Sequence, residues 1–583
     1  MPPYVQAFLE IAVRHPGKAL AIAWWWVTRR RVRAAGRMQE ATAKLPATYR
    51  LWYRIHQPNP PSFRPSIASA GDWPSLALHL HIAAGPWPVE TLRSVVAQVY
   101  PDWTLYLSSA DEQPALATRL QADPRIRILP THVPSQAAGL LEALEQAQAT
   151  YLVPVVPGCT LTPGALLAYA KAIRETEQPA IFYADQDERD RWGRRATPWL
   201  KPEWDEDLFL AQDYLSTACA LPVSARTWGH IDRAWPDEIA VYALLTRLLL
   251  GADTLPARHV PYIAVTTSRD GWRRSSEART ALVQAVTGIA ATHGPFGTVI
   301  LQRDVPDPVP RVSVIVPTRD RLDLLQTCVE GVLHRTDYPA IELIIADNGS
   351  AEPATLAYFE QCRLDPRVKV VHWPHPYNYS AINNFAVWHA SAPYLCLLNN
   401  DTEVIDRSWL RTMMAHAVRP DVGAVGARLL YPDHSIQHAG VVIGMGGAAG
   451  HAHRGLPDAA PGWFAQALIS RGATAVTAAC LVVAKARFDA VGGLDEQGLA
   501  IAYNDIDLCL KLRRAGWRNI YAAQAVMIHH ESKSRGLDFA PEHLARYMQE
   551  LRVFQQRWGT VGYADPTHNA ALDPASETYR LKL

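Results

Sequence analysis

Three short polar clusters in the distal part of the chain hold residue types that do chemistry, and each sits at the end of an apolar run. Pro317-Thr318-Arg319-Asp320 closes the run Val312–Pro317, Asp347-Asn348-Gly349-Ser350 follows Ile341–Ala346, and Asn399-Asn400-Asp401-Thr402 follows Tyr394–Leu398. Asp-Asn-Gly-Ser alone is a turn sequence, but three such clusters at three strand ends can converge on one crevice. Mg2+ and Mn2+ take oxygen ligands, usually one or two carboxylates plus phosphate oxygens, and Asp401 is the obvious carboxylate. Further along, Asp505 and Asp507 lie two residues apart at a helix start after Tyr503. A carboxylate there suits a general base, and Asp507 also suits the free N–H groups of a first helical turn. His529 and His530 follow the strand-like run Ala525–Ile528, and neutral imidazole is a ligand for Mn2+.

Positioning these clusters takes a sheet. Leu322–Leu333 has the apolar spacing of a helix, and Val368–Val371 joins the three runs above as a further strand. Alternating strand and helix patterns imply a mostly parallel sheet covered on both faces, and such sheets bind ligands beyond the carboxyl ends of their strands.

The chain also repeats itself once. Leu92-Arg-Ser-Val-Val, Tyr100-Pro101 and Leu105-Tyr-Leu echo Leu325-Gln-Thr-Cys-Val, Tyr338-Pro339 and Leu343-Ile-Ile, with the prolines 238 positions apart. Asp123-Pro-Arg-Ile-Arg-Ile echoes Asp365-Pro-Arg-Val-Lys-Val at an offset of 242, and Tyr151-Leu152 echoes Tyr394-Leu395 at 243. The expected architecture is α/β, with two tandem Rossmann-like domains at 71–270 and 309–540. Around them stand a basic, Trp-rich arm at 1–70, a linker at 271–308 ending in the proline-rich joint Asp304–Pro310, and a C-terminal helix and tail at 541–583.

Over 310–540 the sequence resembles family 2 glycosyltransferases of the GT-A fold. The resemblance runs through Val312-Ser-Val-Ile-Val-Pro-Thr318, Asp347-Asn-Gly-Ser350, Leu397-Leu-Asn-Asn-Asp-Thr402, Val491-Gly-Gly-Leu-Asp-Glu496, Asn504-Asp-Ile-Asp-Leu508 and His529-His-Glu-Ser-Lys-Ser-Arg-Gly536. Tyr431-Pro-Asp-His-Ser-Ile-Gln-His-Ala-Gly440 and the two-copy layout are similar to the branch that builds O-antigen and related surface polysaccharides, rhamnosyltransferase-like proteins included. The resemblance implies an inverting transfer from a nucleotide-diphosphate sugar to a lipid-linked or growing glycan, with Mg2+ or Mn2+ as cofactor. It places Asp401 and Asn399 at the outer positions of the family's Asp-x-Asp metal motif, where Asn399 is a departure, and His529 as a further metal ligand, five residues before Ser534. It assigns Pro317, Thr318, Arg319, Asp347, Asn384 and Asn400 to the donor and Asp505 to the catalytic base, with Asn504 standing where the family has Glu. Asp507 is kept as a second catalytic candidate. His438 and His451, with His453, are expected on the acceptor side.

The first copy looks disarmed. The offsets carry Asn399 and Asp401 onto Val156 and Gly158, and Asp347 onto Ser109; Ile263 stands where this branch has histidine, and Asp185 and Asp187 survive without partners. A fold can persist without its site. In the tail, Leu544, Tyr547, Met548, Leu551, Phe554 and Trp558 recur at helical steps and predict a helix laid on the second domain.

The composition narrows the partners. Among 583 residues, 57 basic face 56 acidic ones, which disfavours a nucleic-acid binder. Seven scattered cysteines without a CxxC disfavour a disulfide scaffold and suit a reducing compartment. Residues 1–50 hold nine basic and two acidic side chains and the run Ala19–Val27, with Trp24, Trp25 and Trp26. That run is shorter than a bilayer span of about 20 residues, and the arginines follow it rather than precede it as in a signal peptide. Tryptophan beside arginine suits a membrane interface, so the expected location is cytoplasmic and peripheral on the inner leaflet. The competing readings are a non-catalytic glycan- or partner-binding scaffold and a dual-site polymerase. Asp347, Asp401, Asp505 and His529 together argue against the first, and Val156 and Gly158 against the second.

Overall fold

The apolar runs become strands at the expected places: Val312–Thr318, Ile341–Asp347, Val368–His372 and Tyr394–Leu398, with a helix at Leu322–His334. The computed structural model describes residues 3–27, 38, 41, 46–57, 73–83, 87–110, 123–129, 133–224, 231–251, 254–268, 277–530 and 541–582. Alternation along a strand sends side chains to opposite faces. Val312, Val314, Val316, Leu343 and Ile345 enter one core, while Ile315, Ile344 and Ala346 enter the core on the other face. That is why these strands read as continuous hydrophobic runs.

The repeat in the sequence is a repeat in topology. The first sheet runs Ile126–Ile128, Trp103–Ser109, Leu76–Ile82, Tyr151–Val155, Cys219–Pro222, Ile181–Arg189, Ala257–Thr267 and Thr160–Leu161. The second runs Val368–His372, Ile341–Asp347, Val312–Thr318, Tyr394–Leu398, Cys480–Ala484, Val422–Leu430, Arg518–His529 and Thr402–Val404. The senses match pair by pair, parallel for the first three contacts, then two antiparallel, one parallel and one antiparallel. The strands ending at Ser109 and Asp347 are both seven residues long.

Four expectations change. The segment 271–308 is more than a linker: it holds the helix Glu277–Thr287 and the hairpin Ala290–His293 with Val299–Gln302, and Val283 reaches the first half's core. Asp185 and Asp187 have partners after all. Asp185 accepts from Lys201 N–H (2.7 Å) and bonds His259 (2.8 Å), and Asp187 accepts from Tyr49 O–H (2.5 Å) and pairs with Arg195 (2.7 Å). Both are buried scaffold carboxylates that pin the helix Pro46–His56 and the tail, through Asn569, to the first sheet. Third, Thr402 pairs with His529 in the second sheet and Thr160 with Thr266 in the first, so threonines, Thr266 and Thr267, end the strand that corresponds to Arg518–His529, and Ile263 lies back from that end. Fourth, the helix Pro541–Trp558 turns Leu544 and Met548 outward and packs with Phe554 and the Tyr547–Tyr503 hydroxyl pair (2.6 Å).

The halves are packed together rather than strung on a proline joint. The rings of Trp199 and Phe464 stack at 4.7 Å, and Tyr49, Leu200, Ile263, Val442, Met445, Leu572 and Tyr579 share one cluster. Asp207, fully enclosed, is met by Arg303 (3.0 Å), Arg419 (2.8 Å) and Arg518 (3.2 Å). Burial alone would raise its carboxyl, but the three guanidiniums hold it well below the usual carboxylate range. All seven cysteines are buried thiols.

Candidate active site

Parallel register places the strand-end residues side by side. Thr318 lies opposite Asp347, and Asp347 opposite His372. Asp347 accepts from Ser350 N–H (2.8 Å) and bonds His372 Nδ1 (3.0 Å), while Asn400 donates to Thr318 Oγ1 (3.1 Å). Arg319 is exposed and Pro317 half-buried beside them. Asp320 caps the turn after Asp347 by accepting from Ala351 and Glu352 N–H (2.7 and 2.8 Å).

Asn399, Asn400 and Asp401 form the turn between Tyr394–Leu398 and Thr402–Val404. His529 ends the longest strand of the second sheet, directly across from Thr402. His529 Nε2 stands 3.0 Å from Asp401 Oδ1 and 3.3 Å from the Asn399 amide. The other ring nitrogen, Nδ1, is 2.7 Å from Gln437 Oε1, an acceptor, so it carries a proton. In a neutral ring Nε2 would then aim a lone pair at the Asp401 oxygen. The Asn399 amide nitrogen can donate to that lone pair, and a cation seated between Nε2 and Oδ1 would be met by both atoms. Burial pushes the Asp401 carboxyl up, but the hydrogen bond and charge of His529 outweigh it and hold it below its ordinary value. Among the described residues no three His, Cys, Asp or Glu side chains gather as a complete metal shell. The donor set here is one carboxylate and one imidazole; Asn399 turns its amide nitrogen toward His529 and its oxygen toward Tyr379. That set fits Mg2+ or Mn2+ that draws its remaining ligands from phosphate and water.

Asp505 sits in the first turn of the helix Asn504–Arg514, after Tyr503, whose left-handed backbone (φ 62°) accompanies its stacking on Phe554 at 4.8 Å. Asp505 accepts from Ala478 N–H (2.9 Å) and Ile506 N–H (2.8 Å). Burial raises its carboxyl and these N–H groups oppose the rise. A half-buried carboxylate made more basic is suited to taking up a proton.

Tyr379 links the two groups. Its hydroxyl donates toward Asn399 Oδ1 (3.2 Å) and Ala478 O (3.3 Å). Burial first, and then the charges of Asp505 and Asp401, push the phenol far above its ordinary value, so it remains a donor. Contact therefore runs unbroken from Asp401 through His529, Asn399, Tyr379 and Ala478 to Asp505. Sequence reasoning missed Tyr379, Gln437 and Ala478. Gln437 lies inside the stretch Tyr431–Gly440 singled out for resemblance, and only the fold distinguishes it there.

Several assignments are corrected. Asp507 is fully buried and faces the C-terminal helix, where it takes Arg557 (2.9 Å), Trp558 Nε1 (2.9 Å) and Lys511 (3.2 Å). It is an anchor: Oδ1 takes both hydrogen bonds, Oδ2 is ion-paired with Lys511, and the whole carboxylate is buried away from any substrate. Asn384 spends its amide on Leu494 O, Leu494 N–H and Glu496 Oε1, holding the loop 493–496. His438 is completely enclosed against His451 (2.9 Å), so it does not line an acceptor surface; His451 is half-buried. His453 is buried against Tyr579 at 4.5 Å. His530 pairs with Glu403 (3.2 Å). The motif part Glu531–Gly536, with Ser534, lies outside the described residues.

Residues 313–471 match the family model for glycosyl transferase family 2. The Sinorhizobium fredii protein y4gI is 37% identical over 513 residues, 83% of this chain and 56% of that protein. The O-antigen biosynthesis protein RfbC of Myxococcus xanthus is 35% identical over 521 residues, 85% of this chain and 40% of that protein. The chain thus spans about half, or less, of the length of these two relatives. The N-acetylglucosaminyl-diphospho-decaprenol L-rhamnosyltransferase of Mycobacterium tuberculosis is 35% identical over 79 residues, 14% of this chain and 25% of that enzyme. Among solved structures, the Pyrobaculum calidifontis mannosyltransferase PcManGT in complex with GDP-Man and Mn2+ overlays 43% of this chain and 66% of its own, at 19% identity and a TM-score of 0.32. GalNAc-T7 with UDP, GalNAc and Mn2+ overlays 45% and 51%, at 14% identity and a TM-score of 0.35.

Proposed function

We propose, from the match of residues 313–471 to the family 2 glycosyl transferase model, that the second half of the chain transfers a sugar from a nucleotide-diphosphate donor to a lipid-linked or growing glycan in surface-polysaccharide synthesis. The contact path from Asp401 to Asp505 carries this reading. It joins a carboxylate–imidazole pair that a cation would meet through both atoms to a carboxylate whose environment favours proton uptake.

The donor base and ribose would lie along Asp347, Thr318 and Arg319, with Pro317 and Asn400 shaping the floor. Asp347 keeps its acceptor character because its two bonds come from donors, Ser350 N–H and His372. Asp401 and His529 would hold Mg2+ or Mn2+, and the Asn399 oxygen would join them only with its amide turned over. When bound, that ion supplies counter-charge to the diphosphate as it departs. Gln437 fixes the His529 ring so that Nε2 points at Asp401, and Tyr379 holds the Asn399 amide. Asp505 takes the proton of the acceptor hydroxyl as its oxygen bonds to the anomeric carbon. The bond from that carbon to the phosphate oxygen breaks, its electron pair leaving with the diphosphate, and the configuration inverts. The RfbC relative, by its name, favours O-antigen-like products. The test is a screen of uridine- and thymidine-linked sugars, read as donor turnover with and without Mn2+. Cation-dependent turnover is expected, and none with any donor would favour the scaffold reading.

In this division of labour transfer belongs to 309–540. In the first half, Val156 and Gly158 follow the strand Tyr151–Val155, and Thr266 and Thr267 end the strand that corresponds to the one ending in His529. None of these side chains holds a cation as Asp401 and His529 would, so the polymerase reading lacks its second site.

The arm would place the protein on the cytoplasmic membrane face. Among the described residues no helix is long and apolar enough to cross a bilayer. The helices Pro3–Arg14 and Pro16–Val27 share a small core of Ile11, Ala19 and Ile22, yet Leu20, Trp24, Trp26 and Val27 are each more than 60% exposed. The arginine run Arg29–Arg37 lies outside the described residues. Co-sedimentation of the full chain with phosphatidylglycerol vesicles is expected to fall several-fold in Trp24→Ser/Trp26→Ser and to weaken as salt rises. Equal binding of the double variant would remove the membrane role.

A further inference from the structure

We propose that the first half is a positioning device for the second half's reaction, with Asp205 fixing the segment Arg471–Ala478, whose far end holds Asp505 and Asn399. This rests on the reading of Asp505 as general base. Asp205 serves both halves at once. One oxygen caps the first-half helix Glu206–Ala211 by accepting from Asp207 and Leu208 N–H (3.0 and 3.4 Å), and the other accepts from Gly472 N–H (2.6 Å). Its carboxyl is neighboured by Arg518 at 3.8 Å, and Asp205, Gly472 and Arg518 together line a cavity between the halves. A Cβ added to Gly472 would come within 2.9 Å of the Asp205 carboxylate.

From Gly472 the chain runs to the site without a loose joint. Arg471–Ala473 pairs with Asn519–Tyr521 of the strand that ends in His529. The Arg471 guanidinium donates to Ala439 O (2.9 Å), next to the strand that carries Gln437. Thr474 donates to Asp565 of the tail (2.6 Å) and its carbonyl accepts from Asn519 (3.0 Å). Val476 fills the space above Gly426, where a Cβ would meet it at 2.4 Å. Ala478 N–H then reaches Asp505, Ala478 O takes the Tyr379 hydroxyl, and Ala479 O takes Asn399 N–H (3.0 Å). Thr474, Ala475 and Val476 are fully enclosed. A buried, hydrogen-bonded strand transmits displacement because close-packed interiors yield little, and misplacement of reacting groups by about 1 Å costs up to about a hundredfold in rate.

The test uses the full chain with a sugar nucleotide that the wild type turns over. Asp205→Asn replaces one of the two acceptor oxygens, and Gly472→Ala pushes the segment off Asp205 while leaving the charges intact. Each is expected to lower kcat about tenfold, with donor KM changed less than about twofold. Asp187→Asn, which cuts the Tyr49 and Arg195 bonds elsewhere in the first half, is the control and should lower the melting temperature with kcat retained. Wild-type kcat in both test variants, or a fall no larger than the control's, overturns the proposal. A wild type that turns over no sugar nucleotide overturns the general-base reading, and this inference with it.

Discussion

Asp505→Asn is expected to lower turnover by about a thousandfold, within the range of about 10² to 10⁴ that a positioned general base contributes. The amide has the carboxylate's shape and can still accept from Ala478 N–H through its remaining oxygen, so the fold and the donor pocket should survive. Donor KM should stay within about twofold and the melting temperature within about two degrees, because no charged partner is stranded. Steady-state kinetics with a competent donor, alongside a melting curve, checks this. Near wild-type turnover would move the base elsewhere. Asp507, two residues on, should behave in the opposite way. Its loss would free Arg557 and Trp558 and loosen the C-terminal helix.

The largest effect on stability is expected at Asp207. Its replacement by Asn removes the buried carboxylate that Arg303, Arg419 and Arg518 share, leaving the more exposed Asp421 to Arg419 and Arg518 and stranding Arg303, and breaking such a buried pair costs about 3–5 kcal/mol. The pH dependence follows from the direction of the shift. A carboxyl held below its unfolded value of about 3.9 contributes its stability fully above that pH and loses it as pH falls through the folded value. The gap in unfolding free energy between wild type and Asp207→Asn should therefore be constant from about pH 5 to 8 and close below about pH 4. A gap independent of pH down to 2 would mean the carboxylate's charge does not stabilise the interface. His416 is also packed against Asp207 and is pushed down to about 4, by burial first and then by the guanidiniums, so it changes charge only in the window where the gap is already closing.

Much of this was legible in the sequence, and the parts that were not share a cause. Strand positions in the second half were readable because buried parallel strands are continuous apolar runs with fixed length and punctuation. The repeat was readable because the same runs recur in order. The convergence of Asp347, Asp401 and His529 follows from strand ends sharing one edge of a sheet. Side-chain allegiance was hidden. Asp505 and Asp507 are both acids in one helical turn, and only the helix Pro541–Trp558 decides that Asp507 faces an arginine and Asp505 faces the site. Asn384 and Tyr379 sit on one helix, yet one holds a loop and the other bridges the site, a difference of direction that spacing does not encode. The partners of Asp185 and Asp187 come from Tyr49, Arg195, His259 and Asn569, up to 384 positions away. The tight packing of the halves was likewise invisible, because its contacts join residues with no sequence pattern in common.

The measurement that tests the central claim most directly is titration of the full chain with Mn2+ by electron paramagnetic resonance, in the presence of uridine or thymidine diphosphate. Wild-type protein should bind about one ion with nucleotide present, and Asp401→Ala should weaken that binding by at least about tenfold, as loss of a first ligand exceeds the 10–100-fold typical of outer partners. Equal Mn2+ binding by wild type and Asp401→Ala, with the nucleotide held equally well, would show that Asp401 and His529 do not form the cation site on which the account depends.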